Sequence, residues 1–169
     1  MVAPGPIIIE LGELDAAHAA YGYEGRAGQA VRKLKFNRST SLAPFMACEI
    51  ARIAGGLTYD FVCPVPIHLL RWCSRGFNQA ELLCAEFPRS ERQDLLRRIR
   101  FTRPQVGLSA QDRRTNLVGA FQSQLNLAGK HVLVIDDVVT TGGTARECAK
   151  VLKSAGAARV ELVVFASQN

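Results

Sequence analysis

Five cysteines are present, yet no two form a C-x-x-C pair and no histidine lies at zinc-finger spacing from them. That excludes the usual structural zinc frameworks and points to reduced thiols, most of them small apolar fillers. No apolar run comes near the roughly 18 residues that a membrane-spanning helix needs. The first ten residues hold no basic cluster and only three consecutive aliphatics, Ile7 to Ile9. No secretory leader is therefore expected, and the expected location is cytoplasmic. Repeats, low-complexity tracts and linkers rich in proline, glycine or serine are missing. The 169 residues are accordingly expected to form one domain, residues 1–169. Aromatic residues are few, at 7%, and only Phe101 lies among the arginines of the most basic stretch, a poor platform for stacking bases. The G-x-x-x-x-G-K-[ST] pattern of a P-loop does not occur.

What the chain does carry is positive charge: 21 Lys and Arg against 15 Asp and Glu, a formal +6. The excess is local. Arg89, Arg92, Arg97, Arg98, Arg100, Arg103, Arg113 and Arg114 are set against only Glu91, Asp94 and Asp112. A smaller basic knot, Arg32, Lys33 and Lys35, lies upstream. Such excesses favour anionic partners, either phosphorylated small molecules or nucleic acid, and equally describe a solvated arginine-rich face.

Apolar periodicity predicts the framework. His131 to Ile135 is a β-branched run suited to a strand buried on both faces. Thr144 to Glu147 reads as a capping box, followed by Ala145, Cys148, Ala149, Leu152 and Ala155 at helical spacing and a stop at Gly156. Arg159 to Phe165 reads as the next strand, completing a βαβ unit with a parallel crossover. Upstream, Tyr59 to Val65 reads as a strand and Phe77 to Phe87 as a helix that Asn78 can cap. Leu42 to Ile53 reads as a helix. Leu95 to Thr102 is ambiguous between helix and strand, with its alternation favouring strand, and Ser109 to Leu117 reads as a short capped helix. The alternation predicts an α/β fold with a mostly parallel, doubly wound sheet flanked by helices.

The chemistry concentrates in Val132-Leu-Val-Ile-Asp-Asp-Val-Val-Thr-Thr-Gly-Gly-Thr144. Asp136 and Asp137 fall at the carboxyl end of a buried strand, the edge where open α/β sheets bind ligands. Thr140, Thr141, Gly142, Gly143 and Thr144 then run into a helix N-terminus. Glycines let backbone wrap an oxyanion, threonine hydroxyls donate, and the helix end supplies free N–H groups and positive dipole. Acceptors for a diol and donors for a phosphate thus stand a few residues apart, which is what a phosphorylated ribose needs.

This segment resembles the ribose-phosphate signature of type I phosphoribosyltransferases. Two further blocks resemble the ComF/GntX family, competence-associated proteins of that fold: Cys63-Pro-Val-Pro-Ile-His-Leu-Leu-Arg-Trp-Cys-Ser-Arg-Gly-Phe-Asn-Gln-Ala-Glu-Leu-Leu83 and Gln105-Val-Gly-Leu-Ser-Ala-Gln-Asp-Arg-Arg-Thr-Asn-Leu-Val-Gly-Ala-Phe121. Tyr23 through Lys33-Leu-Lys-Phe36 matches more weakly.

The resemblance implies a type I phosphoribosyltransferase fold that binds phosphoribosyl diphosphate (PRPP) with Mg²⁺. Asp136 and Asp137 would hold the ribose hydroxyls, with Mg²⁺ carried by the ligand nearby rather than held directly by the protein. Thr140 to Thr144 would hold the 5-phosphate, and Arg71 and Arg75 the diphosphate. Arg103, Arg113 and Arg114 would lie on a flap over the site. Arginine suits such work because its planar fork matches phosphate oxygens. Many relatives carry an N-terminal four-cysteine zinc module, whose C-x-x-C pairs do not appear here. Residues 1–36 are the candidate for a base-recognising hood, though nothing in them announces an acceptor. The implied function is linked to DNA uptake or natural transformation, with phosphoribosyl transfer to an unspecified acceptor. The alternative is a non-catalytic nucleotide or PRPP sensor, or a module binding single-stranded DNA or proteins of the uptake machinery. His68 reads as a surface or packing residue rather than a general base, since no carboxylate is placed to orient it.

Overall fold

A computed structural model describes residues 7–36, 40–101 and 117–168, apart from the side chains of Phe36, Leu70, Arg71 and Arg75. In chain order its elements are β1 (Ile7–Ile8), β2 (Ala16–Gly22), α1 (Gly25–Phe36), a 3₁₀ turn (Thr40–Leu42), α2 (Ala43–Ala54) and β3 (Phe61–Pro64). There follow α3 (Leu69–Arg75), α4 (Gln79–Leu83), β4 (Arg97–Arg98), β5 (Phe121–Gln122), β6 (His131–Val139), α5 (Gly143–Ser154) and β7 (Arg159–Ser167).

The main sheet has the order β1-β2-β7-β6-β3. β2, β7, β6 and β3 are parallel, and β1 closes one edge antiparallel. The crossover from β2 to β3 runs through α1 and α2 on one face. The crossover from β6 to β7 runs through α5 on the other and in the opposite direction, as right-handed connections require. Each face carries its own core. Val132, Val134, Leu162 and Val164 pack with Ala145, Cys148, Ala149 and Leu152 of α5. Leu133, Ile135, Val163 and Phe165 pack with Val31 and Leu34 of α1, Met46 and Ile50 of α2, and Leu83 of α4. The continuous apolar reading of 131–135 and 159–165 follows from that burial on both faces.

Expected and observed elements differ mainly at ends. β6 and β7 run on to Val139 and Ser167, and β3 is shorter than Tyr59–Val65. Only Gln79–Leu83 of the Phe77–Phe87 stretch is helical, capped by Asn78, whose side chain accepts from the Ala80 N–H at 3.1 Å. Among the described residues of Leu95–Thr102, only Arg97–Arg98 is a strand, paired with Phe121–Gln122. The expected helix toward Leu117 lies outside the described residues. The segment considered as a hood contributes β2, an interior strand of the main sheet, and α1 packed upon it.

Candidate functional site

β6 carries the acidic pair to the carboxyl edge of the sheet, between β7 and β3. Because side chains alternate along a strand, the two neighbours diverge. Asp136 shares parity with Val132 and Val134 on the α5 face, and Asp137 shares parity with Leu133 and Ile135 on the α1–α2 face. Asp136 is half-buried, and its Oδ1 accepts the Asp137 N–H at 2.8 Å. Asp137 is 2% exposed, and its Oδ1 lies 2.9 Å from the Lys35 ammonium. Burial, then the neighbouring charge of Asp137, push the Asp136 carboxyl up to about 7. Lys35, the Asp137 N–H and the Arg98 guanidinium pull it partly back.

The phosphate-type loop follows at once. Gly142 is the N-cap of α5 with φ +73°, and no side chain caps the helix. The expected capping box is therefore corrected. Thr144 is already inside the first turn, and the Glu147 carboxylate instead accepts the Gly119 N–H at 2.8 Å, tying the chain before β5 to α5. With the first helical bond running from Arg146 N–H to the Gly142 carbonyl, the N–H groups of Gly143, Thr144 and Ala145 have no intrahelical acceptor. Glycine at 142 suits the left-handed backbone, and a Cβ there would also press on the tip of the Leu11 side chain. Arg146 curls back over the turn, its Nη2 donating to the Thr141 carbonyl at 2.7 Å. The loop thus gathers N–H groups without an intrahelical acceptor, a helix dipole and one guanidinium, the chemistry of an anion cradle.

The other expected site residues are less fully in view. Arg71 and Arg75 lie on α3 after the Pro64-Val-Pro66 turn, with side chains outside the described part. Arg103, Arg113 and Arg114 lie outside the described residues. His68 packs its ring against Phe101 at 5.2 Å. Sequence reasoning assigned no site role to Lys35, Arg98 or Arg146. Arg98 stacks on Phe121 at 5.2 Å and acts electrostatically on Asp136.

Among the described residues no group of three or more potential metal ligands gathers. A half-buried carboxylate beside an anion cradle would fit a Mg²⁺ that arrives on a ligand's phosphates.

The mostly parallel sheet flanked by helices has the type I phosphoribosyltransferase fold. The family of phosphoribosyl transferase domains matches residues 74–169. Over 143 residues the chain is 38% identical to the DNA utilization protein YhgH of Escherichia coli O157:H7, covering 78% of this chain and 63% of that protein. Over 110 residues it is 36% identical to Competence protein F of Haemophilus influenzae, covering 61% and 48%. A solved structure of an allosteric regulatory enzyme of purine biosynthesis shares the fold with a TM-score of 0.53 at 19% identity, covering 80% of this chain and 30% of that one. The chain belongs to the phosphoribosyltransferase family, as a ComF-like member. It spans less than two thirds of the length of these curated relatives. Among the described residues, no helix is long and apolar enough to cross a membrane.

Proposed function

We propose that this site binds PRPP together with Mg²⁺. The reading is carried by one observation, the passage from an acidic strand end into a glycine turn whose N–H groups open α5. Thr140, Thr141, Gly142, Gly143 and Thr144 take the 5-phosphate, and Asp136 and Asp137 take the ribose hydroxyls. Arg71 and Arg75 meet the diphosphate, and Arg103, Arg113 and Arg114 close over it. Mg²⁺ supplies neutralisation of the diphosphate charge. Phosphoribosyl transfer at such a site rests on positioning and electrostatics: the arginines hold the departing diphosphate while positive charge develops on the ribose ring and an acceptor attacks C1. No side-chain nucleophile is required. A role in DNA uptake or use belongs to this reading, supported by the names of the relatives, DNA utilization and competence; a cytoplasmic location, with single-stranded DNA and proteins of that machinery as partners, is proposed along with it.

A second reading is a non-catalytic sensor or single-stranded-DNA-binding module on the same fold. The DNA-binding form is favoured by Trp72 and Phe101, two aromatic side chains that are each about half exposed. Hydrogen exchange across residues 98–118 separates the two. Protection by PRPP–Mg²⁺ is expected, because flap closure trades exposed backbone for ordered contacts. Protection by single-stranded DNA alone would favour the second reading.

A further inference from the structure

Of the basic knot on α1, Lys35 is the residue whose ammonium enters the candidate site. Its Nζ lies 2.9 Å from Asp137 Oδ1, and the lysine side chain is 24% exposed against 3% for the aspartate. Asp137 Oδ2 is buried and has no hydrogen-bond partner among the described residues. Buried carboxylate oxygens normally find donors, and leaving one without is costly. A donor that comes with the ligand would satisfy this oxygen, and a sugar hydroxyl is a donor of the right kind.

We propose that Lys35 is a positioning residue of the ribose-phosphate site: it holds Asp137 through Oδ1 and thereby presents Oδ2 to a ring hydroxyl. The inference rests on the ribose-phosphate reading above and adds to it the residue that sets the sugar acceptor. The two carboxylates are held by different means. Asp136 is fixed by the backbone N–H of Asp137. Asp137 faces away from it and depends on a cation delivered by another element. That element is firmly seated. Val31 and Leu34 of α1 are buried, and Gly28 packs so closely that a Cβ would collide with the Tyr23 carbonyl oxygen. Retention of the ion pair on ligand binding follows from burial, since withdrawing Lys35 would leave an uncompensated charge in the interior beside a second carboxylate.

Calorimetric titrations of the full chain with Mg²⁺ test this, using ribose 5-phosphate, its 2-deoxy and 3-deoxy analogues, and inorganic phosphate as a probe of the loop alone. In the wild type, each deoxy analogue binds about tenfold more weakly than ribose 5-phosphate. In Lys35→Met one of the two gaps closes, the one owed to Asp137, ribose 5-phosphate weakens about tenfold, and inorganic phosphate is unchanged, whereas Lys35→Arg restores most of that gap. Survival of both gaps in Lys35→Met, or tighter sugar-phosphate binding by that variant, overturns the proposal. So does equal binding of all three sugars by the wild type. A wild type that binds none of them overturns the underlying ribose-phosphate reading, and the proposal with it. Because Lys35→Met strips the cation from a buried carboxylate and can cost the fold, the wild type supplies a second measurement. The nitrogen-15 signal of the Lys35 ammonium, assigned by its absence from Lys35→Arg, should persist at saturation with ribose 5-phosphate. Its loss on ligand binding would mean that the sugar displaces Lys35, which contradicts the proposal.

Discussion

Asp136 is half-buried beside a second carboxylate, and loss of water followed by the charge of Asp137 lifts its pKa from the ordinary 3.8 to about 7. Two opposite trends follow from that one shift. A carboxyl whose folded pKa is raised binds its proton more tightly in the folded state. Its contribution to stability is therefore full below about pH 4 and lost as pH rises through about 7. Ligand affinity runs the other way, because only the ionised group accepts a sugar hydroxyl with the strength of a charged acceptor. Thermal unfolding of the ligand-free protein should show falling stability over that window, while PRPP affinity rises. Asp136→Asn should flatten both profiles and weaken PRPP binding about ten- to a hundredfold. The thiols give a second residue-scale test. Burial pushes Cys63 and Cys84 up to about 12 and Cys148 well above its ordinary value, whereas Cys48 and Cys73 are exposed. A thiol reagent at pH 8 should count two fast cysteines in the native protein and five after unfolding.

At the scale of elements, α1 and α5 matter most, since one brings Lys35 and the other opens on the anion cradle. α1 starts on the turn after β2, and its first turn touches Tyr23 through Gly28. Gly28→Ala would drive a Cβ into a backbone oxygen, which cannot swing aside as a side chain can. Destabilisation of about 1–3 kcal/mol is expected in denaturant unfolding, with sugar-phosphate binding weakened through displacement of Lys35. Wild-type stability and binding would show that α1 tolerates the shift. α5 also shows how a correct pattern can have a different use. Thr144 and Glu147 have capping-box spacing, but Gly142 already turns the chain and the glutamate binds Gly119 instead. The spacing is in the sequence, while the competing donor comes from a segment distant along the chain.

At the scale of the whole molecule, legibility followed burial pattern. β6, α5 and β7 are readable because strands buried on both faces spell unbroken aliphatic runs and the helix between them repeats at 3.6 residues. β2 is not. Its sequence, Ala-Ala-His-Ala-Ala-Tyr-Gly, has no β-branched residue, and Ala17, Ala19 and Ala20 are buried in the sheet through their small size. α1 is masked by Gly25 and Gly28, residues that usually argue against a helix. The acidic pair and the glycine turn were legible as local signals. Their geometry was not, because which face each carboxylate takes depends on the strand running on past Ile135 and on the helices packed against it. The pairing with Lys35 joins two elements that only the sheet order brings together.

The central claim is that the end of β6 and the start of α5 form one ribose-phosphate site. Titration of the protein with PRPP in a calorimeter, with and without Mg²⁺, tests it most directly. Saturable binding of one PRPP per chain that needs Mg²⁺ and weakens sharply in Asp136→Asn is expected. No binding under either condition, or equal affinity in the wild type and Asp136→Asn, would contradict it.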